Sequence, residues 1–68
     1  MATLFTRPDC PYCDAARSYL EDAGEDYEER DVTTDPEAAR EVATITGGPV
    51  VVPITVRGDD VRVGFPYT

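Results

Sequence analysis

Two cysteines, Cys10 and Cys13, fall within the stretch DCPYCDAA, separated by Pro11 and Tyr12. Thiols at this spacing serve three kinds of chemistry: a structural disulfide, part of a metal site, or a redox couple. A staple is a poor use of them, because closing a four-residue loop removes only about 2 kcal/mol of chain entropy. A reducing compartment would also open it. As zinc ligands they are half a set, since tetrahedral zinc takes four and the chain has no third Cys and no His. Carboxylates, or a second copy of the chain, would have to supply the rest. The lack of His also removes the usual general base, so serine and cysteine hydrolases of the familiar kind are closed.

The redox reading fits the setting of the pair. Cys10 falls where a strand feeds a helix, so the free N–H groups of the first turn face its sulfur and favour thiolate over thiol. Cys13, one turn further on, closes onto Cys10 with little movement. Arg7 adds a positive charge three residues before Cys10, while Asp9 and Asp14 oppose ionisation. A C-x-x-C that opens a helix within a β-α-β pattern is a much stronger signal than the spacing alone. The expected chemistry is attack by the Cys10 thiolate on a disulfide, then resolution of the mixed disulfide by Cys13.

The elements that must position these residues are legible from the pattern. ATLFT, residues 2–6, reads as a strand. Pro11 suits the first turn of a helix running to about Ala23, with Ala15, Ala16, Tyr19, Leu20 and Ala23 on its apolar face and Gly24 as its cap. Tyr19, Leu20 and Val42 are expected in the core. DYEERDV reads as a charged edge strand. A second helix follows, started by Thr34 with Glu37 or by Asp35 with Pro36. Its inner face is Ala38, Ala39, Val42, Ala43 and Ile45, and Gly47 and Gly48 stop it. PVVVPITV, residues 49–56, reads as a strand buried on both faces, although Pro53 must lie at its start or beside an irregularity. RGDD is a turn, and VRVGF is a hairpin partner with Val61, Val63 and Phe65 on one side. The order is β-α-β-α-β-β in one α/β domain covering residues 1–68, with a right-handed parallel crossover followed by a hairpin.

Composition narrows the setting. At 68 residues the chain is near the lower limit for independent folding. No basic stretch followed by an apolar run opens it, and no apolar segment reaches membrane-spanning length, so a soluble cytoplasmic protein is expected. Fourteen acidic residues against six Arg give a net charge of −8. Such a polyanion is repelled by phosphate backbones, which argues against nucleic-acid partners. The acidity is a solvated surface, and a sharper reading is adaptation to high salt.

FTRPDCPYC resembles the active-site segment of glutaredoxins, including the Cys-Pro-Tyr-Cys tetrapeptide and the basic residue at Arg7. That resemblance implies a thioredoxin-like fold with a four-stranded mixed sheet, and thiol–disulfide oxidoreductase activity without a cofactor. It implies a cis bond at Val52-Pro53, with the Val52 backbone offered to substrate and Arg7, Pro11 and Tyr12 flanking the reactive sulfur. Gly64 and Phe65 either line the substrate groove or simply end a strand. The second half is most similar to the small glutaredoxin-like redoxins that pass electrons to ribonucleotide reductase, which implies a protein disulfide as substrate. The donor implied is a thioredoxin reductase or a low-molecular-weight thiol. Two departures stand out. Gly64-Phe65-Pro66 replaces the Gly-Gly-acidic motif that grips glutathione, and the sequence stops where the family continues into a third helix. A truncated domain of that kind is expected to leave apolar sheet surface near Val63 and Phe65 bare, inviting a homodimer. The alternative function is an iron–sulfur carrier in which two chains hold a cluster through Cys10.

Overall fold

The computed structural model describes residues 1–65, and Pro66 of the Gly64-Phe65-Pro66 segment lies outside them. The chain runs β1 (Ala2–Thr6), α1 (Pro11–Asp22), β2 (Tyr27–Asp31), α2 (Pro36–Thr46), β3 (Ile54–Arg57) and β4 (Asp60–Val63). The four strands form one sheet in the order β2-β1-β3-β4. β1 and β2 are parallel, in a register that sets Phe5 opposite Arg30. Parallel neighbours require a crossover, and α1 supplies it. β3 returns antiparallel to β1, pairing Phe5 with Ile54, and β4 completes a hairpin with Arg57 opposite Asp60. The α/β class and the β-α-β-α-β-β order expected from the sequence are both present.

The alternation of β1 divides the interior into two layers. Leu4 faces α1 and packs with Ala16 and Leu20, joined by the partly buried Tyr27 and Phe65. Phe5 faces α2 and packs with Ala38, Val42 and Ile54, joined by Val32, Val52 and Val56. A helix on each face explains why the central strand β1 is almost wholly buried, its Thr6 included.

Local chemistry fixes the helix ends. Pro11 and Pro36 each occupy a first-turn position, where the missing N–H costs nothing. The Asp35 carboxylate accepts from the Glu37 and Ala38 N–H groups, so Asp35, not Thr34, caps α2. Gly47, at φ 86°, stops α2 by returning its N–H to the Ala43 carbonyl. In α1 the cap is Ala23, one residue before the proposed Gly24, and Gly24 takes the left-handed turn that follows.

Several expectations need correction. Tyr19 is not core: it is 48% exposed, because α1 turns the Cys13–Ala16–Leu20 stripe fully inward and Tyr19 lies off it. Ile45 is likewise exposed near the end of α2, and Ala15 and Ala23 face solvent. β3 is shorter than the apolar run suggested. Residues 49–53 are not strand, and Val50 and Val51 are exposed. Pro53 lies immediately before the strand, because it has no N–H to give a ladder. Val61 and Val63 share a face, but Phe65 packs on the opposite layer, beside α1. The bare surface expected at Val63 and Phe65 is therefore half met, with Val63 57% exposed and Phe65 partly buried. Among the described residues, no helix is long and apolar enough to cross a membrane.

Candidate active site

Cys10 is the N-cap of α1, with extended backbone angles of −112° and 105°. A capping side chain normally offers oxygen to the free N–H groups of the first turn. Here sulfur takes that place: the Cys13 backbone N–H donates to Cys10 Sγ at 3.2 Å. The Cys10 carbonyl accepts from Asp14 N–H at 3.1 Å, which fixes the turn that holds the sulfur over the helix end. The helix dipole favours negative charge there by typically 0.3–1 kcal/mol.

Burial acts most strongly on Cys10 and pushes its thiol up. It is outweighed by the Cys13 side chain, the Cys13 N–H, and the hydrogen bond and charge of Arg7, so the net shift is below the ordinary 9.0. Cys13 goes the other way. Burial, followed by its interaction with the Cys10 side chain, pushes it up to about 11, against the smaller opposing influences of the Arg7 backbone and the Arg17 cation. The two thiols are thus poised differently, one toward thiolate and one held as thiol. Access separates them in the same order, because Cys10 keeps 5% of its surface exposed and Cys13 none. Both sulfurs are largely covered, and Cys10 is the one that keeps some contact with solvent.

The other residues singled out from the sequence fall into two groups. Pro53 is buried, and the Val52–Pro53 bond is cis. Because Phe5 pairs with Ile54, Pro53 sits beside the end of β1, the strand that delivers Arg7 and Cys10. The pairing of Ile54 with Val63 carries the row outward, and Gly64 N–H donates to the Pro53 carbonyl at 2.8 Å. Pro53 and Gly64 therefore reach the same end of the sheet as the cysteine loop. Pro11 and Tyr12 are exposed on the first turn of α1, and Arg7 is exposed just before it. Val52 and Phe65 lean elsewhere. Val52 packs toward α2, and the Phe65 ring meets Tyr19 edge-on at 5.9 Å and 60°.

Sequence reasoning missed two supports of the site. Asp9 has φ 58°, a left-handed conformation in a residue with a Cβ, immediately before the reactive cysteine. Asp is among the few side chains that tolerate it. The second is a link from α1 to the sheet. Arg17 pairs with Asp14 at 2.7 Å and with Glu29 of β2 at 2.8 Å, while Glu29 accepts from the buried Thr6 hydroxyl at 3.0 Å. This ties the first turns of α1 to the end of β1. The i, i+3 spacing of Asp14 and Arg17 was the available signal, but the strand partner was out of reach. Among the described residues, no group of three or more His, Cys, Asp and Glu side chains is placed to hold a metal ion.

A dithiol of this kind at the end of a four-stranded mixed sheet defines a thioredoxin-like protein. The sequence model of the glutaredoxin family matches residues 2–61, and the chain belongs to that family. Among solved structures, the crystal structure of the thioredoxin-like protein BC3987 is 29% identical with a TM-score of 0.86, covering 96% of this chain and 88% of that one. The glutaredoxin-like protein NrdH-redoxin from Escherichia coli is 36% identical with a TM-score of 0.80, covering 94% and 82%. A glutaredoxin from Archaeoglobus fulgidus is 25% identical with a TM-score of 0.81, covering 94% and 74%. The comparison with curated proteins returned no match. Family membership and these redoxin neighbours support thiol–disulfide oxidoreduction as the general activity.

Proposed function

We propose that the protein is a dithiol electron carrier that reduces disulfides of protein partners through Cys10 and Cys13. The observation that carries this reading is the opposite displacement of the two thiols about one helix end, with Cys10 lowered and Cys13 raised. In the first step the Cys10 thiolate attacks one sulfur of a substrate disulfide. A Cys10–substrate bond forms, the substrate bond breaks, and the departing thiolate takes a proton from water.

The second step follows from the electrostatics. Once Cys10 is in a mixed disulfide its negative charge is gone, and with it one cause of the high Cys13 value. Cys13 then gives up its proton more readily and attacks Cys10 Sγ. The Cys10–Cys13 disulfide forms, the reduced substrate leaves, and two electrons have passed. An external dithiol or thiol must reverse the last bond. Cys13 is therefore kept inactive until it has a use.

Arg7, Pro11 and Tyr12 flank the sulfur, and we assign them to substrate contact together with the Val52 backbone, Pro53 and Gly64, while Phe65, packed against Tyr19, serves the α1 layer instead. The E. coli neighbour is described as a glutaredoxin-like protein with a thioredoxin-like activity profile. That profile favours a thioredoxin reductase over a low-molecular-weight thiol as donor and, with the sequence resemblance, ribonucleotide reductase as a partner. A reducing cytoplasm is the compartment in which such a carrier cycles.

The test is reduction of a model protein disulfide by wild type, Cys10→Ser and Cys13→Ser, with either donor in separate assays. Wild-type turnover with the reductase, and none by Cys10→Ser with either donor, is the expected outcome. Full activity in Cys10→Ser refutes the reading.

A further inference from the structure

The two edges of the sheet differ in character. β2, with the sequence YEERD, presents Glu28, Glu29 and Asp31 against the single cation Arg30. A second copy of the chain placed there would set carboxylates against carboxylates. β4, with the sequence DVRV, carries one acid and one base, and its Val61 and Val63 are 40% and 57% exposed. In a chain of net charge −8, β4 is a locally neutral edge bearing exposed apolar side chains.

The hairpin geometry shows which backbone groups of β4 face outward. A two-residue turn, Gly58-Asp59, joins Arg57 to Asp60, with Gly58 at φ 59°. Residues flanking such a turn exchange both backbone bonds, and the pattern alternates along the ladder. Asp60 and Arg62 therefore point their N–H and C=O groups at β3. Gly64 continues the same phase, donating its N–H to the Pro53 carbonyl. The backbone groups of Val61 and Val63 are left pointing away from the sheet.

We propose that two copies of this chain pair antiparallel through β4, about a two-fold axis at Val61, to give a continuous eight-stranded sheet. Charge selects that register. With Val61 opposite Val61 of the second copy, Asp60 of each chain lies opposite Arg62 of the other. Sliding by one pair either way sets Asp60 against Asp60 or Arg62 against Arg62, and like charges directly opposite are destabilising. Asp60 and Arg62 already lie on one face, 3.0 Å apart within a chain, so the dimer joins two such pairs into a ring of four alternating charges. On the other face Val61 stands opposite Val61 of the second copy, with Val63 of each chain diagonal to it and opposite Asp59 of the turn. The contact is smaller than a standard interface, so the association is weak, with a dissociation constant on the order of 0.1–1 mM. The cysteine loop lies at the Gly64 end of the hairpin, away from the axis, and stays open in both copies. This proposal does not depend on the redox reading.

The experiment is sedimentation equilibrium of the reduced protein up to about 1 mM. The buffer holds about 0.3 M salt, which screens repulsion between whole chains but leaves close pairs attractive. Wild type is expected to dimerise, and Val61→Lys to weaken the dimer by ~10-fold or more. Asp60→Arg and Arg62→Asp are each expected to weaken it several-fold, and the double variant to restore it. Asp60→Arg is decisive against a simple charge effect, because it brings the net charge closer to zero and yet must reduce association. Far-ultraviolet circular dichroism and Cys10 alkylation establish that each variant is folded. A monomer at every concentration overturns the proposal, as does a dimer insensitive to Val61→Lys. A double variant no better than its singles overturns the register.

Discussion

The Cys13 backbone N–H donates to the Cys10 sulfur across 3.2 Å, within a single turn of helix. One residue thus supplies both a donor that stabilises the first nucleophile and the second nucleophile itself. Replacing its side chain need not disturb its amide. Cys13→Ser is therefore expected to keep an alkylatable Cys10 but to stall after the first step. Incubated with a disulfide substrate, it should accumulate a mixed disulfide at Cys10, visible as an added mass that reductant removes. Rapid release of reduced substrate by this variant, in the absence of added thiol, would show that Cys13 is not the resolving group.

The two thiols also make the stability of the reduced protein depend on pH. Cys13 is raised in the fold from the ordinary 9.0 to about 11. Its proton is bound more tightly folded than unfolded, so stability is fully present below about pH 9 and declines as pH rises toward 11. Cys10 is lowered, so its contribution is present above the unfolded value and is lost as pH falls through the folded one. Urea denaturation of the reduced protein is expected to show a midpoint that falls between pH 9 and 11. Cys13→Ala should flatten that fall, and an equal fall in the variant would contradict the assignment.

Asp9 holds a left-handed backbone at φ 58° directly before Cys10, and a carboxylate this near in sequence is expected to oppose a thiolate. Conformation and charge can be separated by substitution. Asp9→Asn keeps a side chain that tolerates the conformation and removes the charge, so Cys10 alkylation near neutrality should speed up a few-fold with little change in stability. Asp9→Val meets the full steric cost and should lose about 1–2 kcal/mol. If Asp9→Asn alkylates more slowly than wild type, the carboxylate is not the brake described.

A net charge of −8 on 68 residues sets chain self-repulsion against a small core. Screening shortens from about 10 Å at 0.1 M salt to about 3 Å at 1 M. The melting temperature is expected to climb steadily over that range in KCl. A flat response would mean that the acidity is an ordinary solvated surface.

The sequence made the frame readable because its signals are local. Pro11 and Pro36 start helices wherever they fall in a first turn, and Gly47 stops one, so both helices lay within a residue of their expected bounds. The cysteines were legible for the same reason, since spacing and a helix start are enough to place a sulfur at a cap. What failed depended on contacts distant in sequence. Tyr19 fits the helical stripe, yet α1 has no second helix beside it to cover that position among the described residues. Val50 and Val51 look like buried strand, but the strand begins only after Pro53. The Thr6–Glu29–Arg17 link joins three elements and has no signature in any one of them.

Titration of Cys10 tests the central claim most directly. The rate of alkylation by iodoacetamide, followed against pH in the reduced protein, gives the midpoint of its ionisation, with Arg7→Gln as a second arm. The fold predicts a wild-type midpoint below the ordinary 9.0 and a higher one in Arg7→Gln. A wild-type midpoint at or above 9.0 would contradict it.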